Sequence, residues 1–124
     1  MRDAAIVATA RTPIGRAYRG AFDATPSPTL AAHAFRAAVE RSRIDPGEVD
    51  DVVVGSAQPQ GVQQTIGRTA ALRAGLPHSV SGMTIDRQCA SGSMAIVTAA
   101  KQVIVDHIDT AATGDPSSRR RVRR

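Results

Sequence analysis

Val52-Val53-Val54 constrains this chain more than any other three residues. Successive side chains on a strand point to opposite faces, so an unbroken β-branched run needs cover on both sides of its sheet. That condition belongs to a parallel sheet packed between helices. The rest of the sequence supplies the layers. Ala4 to Ala10 reads as a first strand, ended by the punctuators in Arg11-Thr12-Pro13-Ile14-Gly15-Arg16. Ser27 and Pro28 form an N-cap and first-turn pair, opening a helix with Ala31, Ala34, Phe35, Ala38 and Val39 on one face. His33, Arg36, Glu40 and Arg43 fall on the other. Asp45-Pro46-Gly47-Glu48 has capping-box spacing for a single turn. A loop follows from Gly55 to Gly61, then a helix from Thr65 to Ala74 with Gly75-Leu76-Pro77 as its stop. Another strand runs from about Met83 to Asp86, and Ile108 to Ala112 starts one that Gly114-Asp115-Pro116 breaks. The fold class is α/β with a mainly parallel sheet.

At 124 residues one domain is the ceiling. Aromatic residues make up 2% of the chain, so core volume must come from Ala, Val, Ile and Leu, which suits close α/β packing. The net charge of +5 suggests nucleic acid as a partner until its source is located. Arg119, Arg120, Arg121, Arg123 and Arg124 supply all of it, and without them 11 basic residues face 11 acidic ones. Basicity is thus a property of the tail, and neither a nucleic-acid partner nor a membrane partner is expected. The apolar run at Ala4–Ala10 is too short for an export region and meets Arg11, and no apolar stretch is long enough to cross a bilayer. With one cysteine no internal disulfide can form, which fits a reducing, cytoplasmic location.

That cysteine, Cys89, lies in Asp86-Arg87-Gln88-Cys89-Ala90-Ser91-Gly92-Ser93, where a β-prone run gives way to a long apolar helix. The first-turn N–H groups of a helix are unpaired and carry the positive end of its dipole, so a sulfur facing them is favoured as thiolate, the form that attacks carbonyls. Small residues after it leave room for a substrate. The competing reading is a packed core cysteine, since free Cys is among the most buried residue types. The following helix, with Met94, Ile96, Val97, Val103, Ile104 and Val105, is apolar nearly all round. Burying it takes more structure than this chain offers, so a further layer or a partner subunit is expected.

The Asp86-to-Gly92 stretch resembles the acyl-enzyme motif of the thiolases, which form or cleave 3-ketoacyl-CoA. The likeness runs in order through Arg11-Thr12-Pro13-Ile14-Gly15, Asp45-Pro46-Gly47-Glu48-Val49-Asp50, the loop at Gly55 and Arg68 to Pro77, covering about residues 3 to 112. It implies part of an αβαβα thiolase fold over residues 1–113, with a buried helix after the nucleophile; beyond the likeness, residues 114–124 read from their composition as a basic, disordered tail. It also implies that Cys89 accepts the acyl group, that a CoA thioester enters as substrate with no separate cofactor, and that the protein is a homo-oligomer. In the family a His in a Gly-His-Pro motif activates the nucleophile and a second Cys in a Cys-x-Gly motif moves the substrate proton. Neither has a counterpart here. The chain alone is therefore expected to be inactive, and the arginine run beginning where the likeness stops suggests a truncated or frame-shifted gene.

Other constellations compete poorly. His33, His78 and His107 read as solvent-exposed, Ser91 and Ser93 lack an evident base, and Asp50-Asp51 reads as turn and strand-edge solvation. No metal-ligand spacing or phosphate-binding glycine loop occurs. The contrasting readings are a non-catalytic interaction domain that pairs with a full-length thiolase through a sheet edge, a ketoacyl-synthase relative, and nucleic-acid binding through the tail.

Overall fold

The structure, a computed structural model, describes residues 2–16, 18–57, 59 and 64–116. Its helices are α1 (Ser27–Ser42), α2 (Ile66–Ala74) and α3 (Ser91–Lys101), and its strands are β1 (Asp51–Gly55), β2 (Ser81–Ile85) and β3 (Ala111–Gly114). A single 3-10 turn, Pro46–Glu48, precedes β1, and a π-helical turn, Gln102–Asp106, continues α3. The strand order is β2-β1-β3, with both pairings parallel. Val53 lies opposite Met83 on one side and Thr113 on the other.

The valine run behaves as its pattern demands. Val52, Val53 and Val54 are all fully buried. Val52 and Val54 face α1 and α2, in one cluster with Ala31, Phe35, Ile66, Ala70 and Ala71. Val53 faces the other way, against Ala95 and Ala99 of α3. The crossover rule accounts for the split. From β1 the chain steps to β2 on one side, then returns past β1 to β3, so crossovers of one hand put α2 and α3 on opposite faces.

Local chemistry sets the boundaries. The capping box is present as the sequence predicts: Asp45 Oδ1 accepts the Gly47 N–H at 2.7 Å, and Glu48 Oε2 accepts the Asp45 N–H at 3.3 Å. Gly75 ends α2 at φ 86, a left-handed conformation that glycine adopts without a Cβ clash. Helix α1 begins one residue earlier than expected, with Pro26 rather than Ser27 as N-cap. The Pro26 carbonyl accepts from the Thr29 and Leu30 N–H groups instead. Strand β2 starts at Ser81, and the last strand occupies 111–114 rather than 108–112.

Two further expectations need correction. Ala4–Ala10 is not a strand, and Ile6 and Val7 are 76% and 68% exposed. Among the described residues no strand lies against it to complete a ladder. It is tied at its ends instead, by Arg2 to Asp109 and by Arg41 Nη1 to the Thr9 carbonyl at 2.7 Å. Helix α3 is buried along one face only, through Ser91, Ala95 and Ala99, while Ile96 and Val97 are exposed. The layer that would cover the outer face is not among the described residues. The loop at 55–61 lies partly, and residues 117–124 of the expected tail lie wholly, outside the described residues.

Asp51 is the largest surprise of the core. It is buried, with Oδ1 accepting from the Val52 N–H and the Ser81 hydroxyl, both at 2.8 Å. Oδ2 accepts from Gln102 Nε2 at 2.7 Å. One carboxylate thus joins β1, β2 and the end of α3, where strand-edge solvation was expected. Asp50 is exposed, and its Oδ2 accepts the Asp109 and Thr110 N–H groups at the entry to β3.

Candidate active site

Strand β2 ends at Ile85 and α3 begins at Ser91, leaving five residues to reverse the chain. Three side-chain interactions shape that turn. Asp86 Oδ1 accepts the Gln88 N–H at 2.9 Å. The Ser91 hydroxyl oxygen accepts the Arg87 N–H at 2.8 Å and donates its own proton to the Gln88 carbonyl at 2.6 Å. Gln88 has φ 50, in the left-handed region that costs a non-glycine residue about 1–2 kcal/mol. The Ala90 and Ser91 N–H groups close back onto the Arg87 and Gln88 carbonyls.

The outcome is a sharp alternation of exposure. Cys89 is exposed and unbridged, whereas Ser91, two residues on, is fully buried. The strand-to-helix placement of Cys89 is therefore as the sequence predicts, and the packed-core alternative does not hold. Ser91 is the reverse case. Its hydroxyl is already engaged in both directions, so a serine nucleophile at this position has no free geometry.

The start of α3 is wedged against the end of β1. A Cβ on Gly55 would lie 2.3 Å from the Ser91 carbonyl carbon and oxygen and 2.5 Å from the Gly92 nitrogen, distances no methyl group tolerates. On another side, the Asp115 carboxylate lies against Gly92, so a fixed negative charge stands beside the positive end of the helix. No pattern of residue types pairs Gly92 with Asp115 in advance.

The imidazoles stand elsewhere. His33 on α1, His78 after Pro77 and His107 at the end of the π-helical turn are exposed, as expected, and none is hydrogen-bonded to the Cys89 thiol. Among the described residues no group of three or more His, Cys, Asp or Glu is placed to hold a metal ion, and no helix is long and apolar enough to cross a membrane. A groove of about 740 Å³ runs between the N-terminal segment, α1 and the first turns of α3. Ile6, Ile14, Phe35, Gly92, Ile96 and Asp115 line it, and Cys89 does not.

These features define a parallel, doubly wound α/β unit that presents a single thiol on the turn into a helix. Residues 4–115 match the family profile described as "Thiolase, N-terminal domain". The chain is 36% identical to an acetyl-CoA acetyltransferase of Cupriavidus necator, over 92% of this chain and 29% of that protein. It is 34% identical to a 3-ketoacyl-CoA thiolase of Bacillus subtilis, over 95% of this chain and 30% of that one. The crystal structure of the Bacillus anthracis acetyl-CoA acetyltransferase superposes with a TM-score of 0.88 at 35% identity, covering 99% of this chain and 32% of that one. The chain belongs to the thiolase family and has part of the thiolase fold. It spans about 30% of the length of those relatives.

Proposed function

We propose that Cys89 is the acyl-accepting nucleophile of thiolase-type acyltransferase chemistry, with a CoA thioester as substrate. The supporting observation is an exposed thiol at the start of a helix, inside a stretch that matches the thiolase N-terminal domain. In this reading the sulfur attacks the thioester carbonyl, the carbonyl carbon's bond to CoA sulfur breaks, and CoA leaves as a thiol after taking up a proton. The acyl group then waits on Cys89 for a carbon nucleophile, or for CoA in the reverse, thiolytic direction. Residues 1–113 form the domain that does this, in the cytoplasm and within a homo-oligomer.

Acylation and turnover separate here. Thiol nucleophiles are ordinarily activated by an adjacent general base such as His. No imidazole is bonded to Cys89, so the chain alone accepts one acyl group and then stops. Mixing it with acetyl-CoA and following free CoA tests this: about one equivalent released per chain, then a plateau. Continued release at thiolase rates, abolished by Cys89→Ser, would refute the inactivity. No release at all would refute the nucleophile.

The exposed outer face of α3 favours a second reading, a non-catalytic domain that pairs with a full-length thiolase. Co-purification with such a partner, together with a missing CoA burst, would select it.

A further inference from the structure

The Ser91 hydroxyl does something unusual for a residue at the first position of a helix. Such side chains ordinarily face water or cap the helix's own N–H groups. This one is fully buried and turns backwards, bonding the Arg87 N–H and the Gln88 carbonyl on either side of the left-handed residue. Its backbone is fixed independently, since the Ser91 carbonyl is pressed against Gly55 at the end of β1. The hydroxyl therefore joins a rigid point of the core to an exposed turn held in a conformation that glutamine does not favour.

We propose that Ser91 is a positioning residue for Cys89: its hydroxyl holds Gln88 left-handed, and that conformation swings the next side chain outward at the mouth of α3. The Asp86 bond to the Gln88 N–H assists but cannot substitute, because Asp86 is itself part of the exposed turn. Without the hydroxyl, the Arg87 N–H loses its acceptor and Gln88 relaxes toward negative φ, redirecting the thiol. The assignment rests on the reading of Cys89 as nucleophile for its catalytic meaning, though not for its geometry.

A three-variant comparison tests it: Ser91→Ala, Gln88→Gly, and both together. Glycine adopts positive φ freely, so it should make the hydroxyl dispensable. The readouts are the intraresidue amide-to-Hα NOE and scalar coupling of residue 88, which report the sign of φ, and the rate of Cys89 alkylation by iodoacetamide. Ser91→Ala should lose the positive-φ signature and alkylate about tenfold more slowly, whereas Gln88→Gly and the double variant should both stay within about twofold of the parent. A Ser91→Ala protein that keeps both the signature and the rate overturns the proposal. So does a double variant as slow as Ser91→Ala, or one that fails to fold when Ser91→Ala fails, since the hydroxyl would then be serving the core. If the variants behave as stated but the parent takes no acyl group from acetyl-CoA, the turn assignment stands and the nucleophile reading falls.

Discussion

Replacing Gly55 with alanine adds one methyl group between two backbones that cannot yield by rotating a side chain. The new carbon would sit 2.3 Å from the Ser91 carbonyl and 2.5 Å from the Gly92 nitrogen, where ordinary contact begins at 3.4 Å. Strand β1 and the first turn of α3 must therefore separate by about 1 Å, opening the Val53–Ala95–Ala99 contact behind them. Overpacking of this kind costs about 1–3 kcal/mol, and the purely backbone clash argues for the upper end, about 3 kcal/mol. With a urea dependence of about 2 kcal/mol per molar, the unfolding midpoint should fall by about 1.5 M. Circular dichroism during a urea titration measures this directly. Gly75→Ala is the control, because nothing lies within 4 Å of that position and only its φ of 86 is strained. It should cost about 1 kcal/mol. A Gly55→Ala protein within about 0.5 kcal/mol of the parent, below the lower end of that overpacking range, would refute the argument that β1 and α3 are locked together at this point.

The Asp51 junction makes the opposite kind of claim, that a polar group holds the core. Asp51→Ala leaves the Gln102 amide without its acceptor and the Ser81 hydroxyl with the Asp50 carbonyl alone, and chemical denaturation should show a loss of about 1–3 kcal/mol. The Arg2–Asp109 pair joins two solvent-accessible side chains, so Arg2→Ala should cost no more than about 1 kcal/mol in the same assay, and less in high salt.

Much of the fold was legible because several signals in the sequence are local. The valine run names a strand covered on both faces whatever covers it, and Asp45 with Glu48 closes a capping box within four residues. Gly75 marks a left-handed stop for the same reason. The position of the cysteine at a strand-to-helix turn was also visible in the order of residue types, whereas its exposure was not, since a packed core cysteine fitted the same residues. Two of the misses depend on distant partners, and a third on a local backbone conformation. Ala4–Ala10 has strand-like residues, but β pairing needs a neighbour that lies outside its own sequence window. Asp51 looked like a solvated strand start because Ser81 and Gln102, which bury it, are far along the chain. Ser91 looked like a small residue making room for a substrate. Its backward hydrogen bonds depend on Gln88 being left-handed, and no residue type announces that for glutamine.

Transfer of an acyl group from a thioester to the sulfur at position 89 is the step on which the proposed function depends. Incubating the protein with acetyl-CoA, quenching in acid and mapping peptides by mass spectrometry locates any acetyl group. The prediction is a single acetyl on the peptide containing Cys89, labile to hydroxylamine as a thioester is, and absent from Cys89→Ser. An unmodified Cys89 peptide after prolonged exposure, or acetylation confined to lysine or the N-terminus, would contradict it.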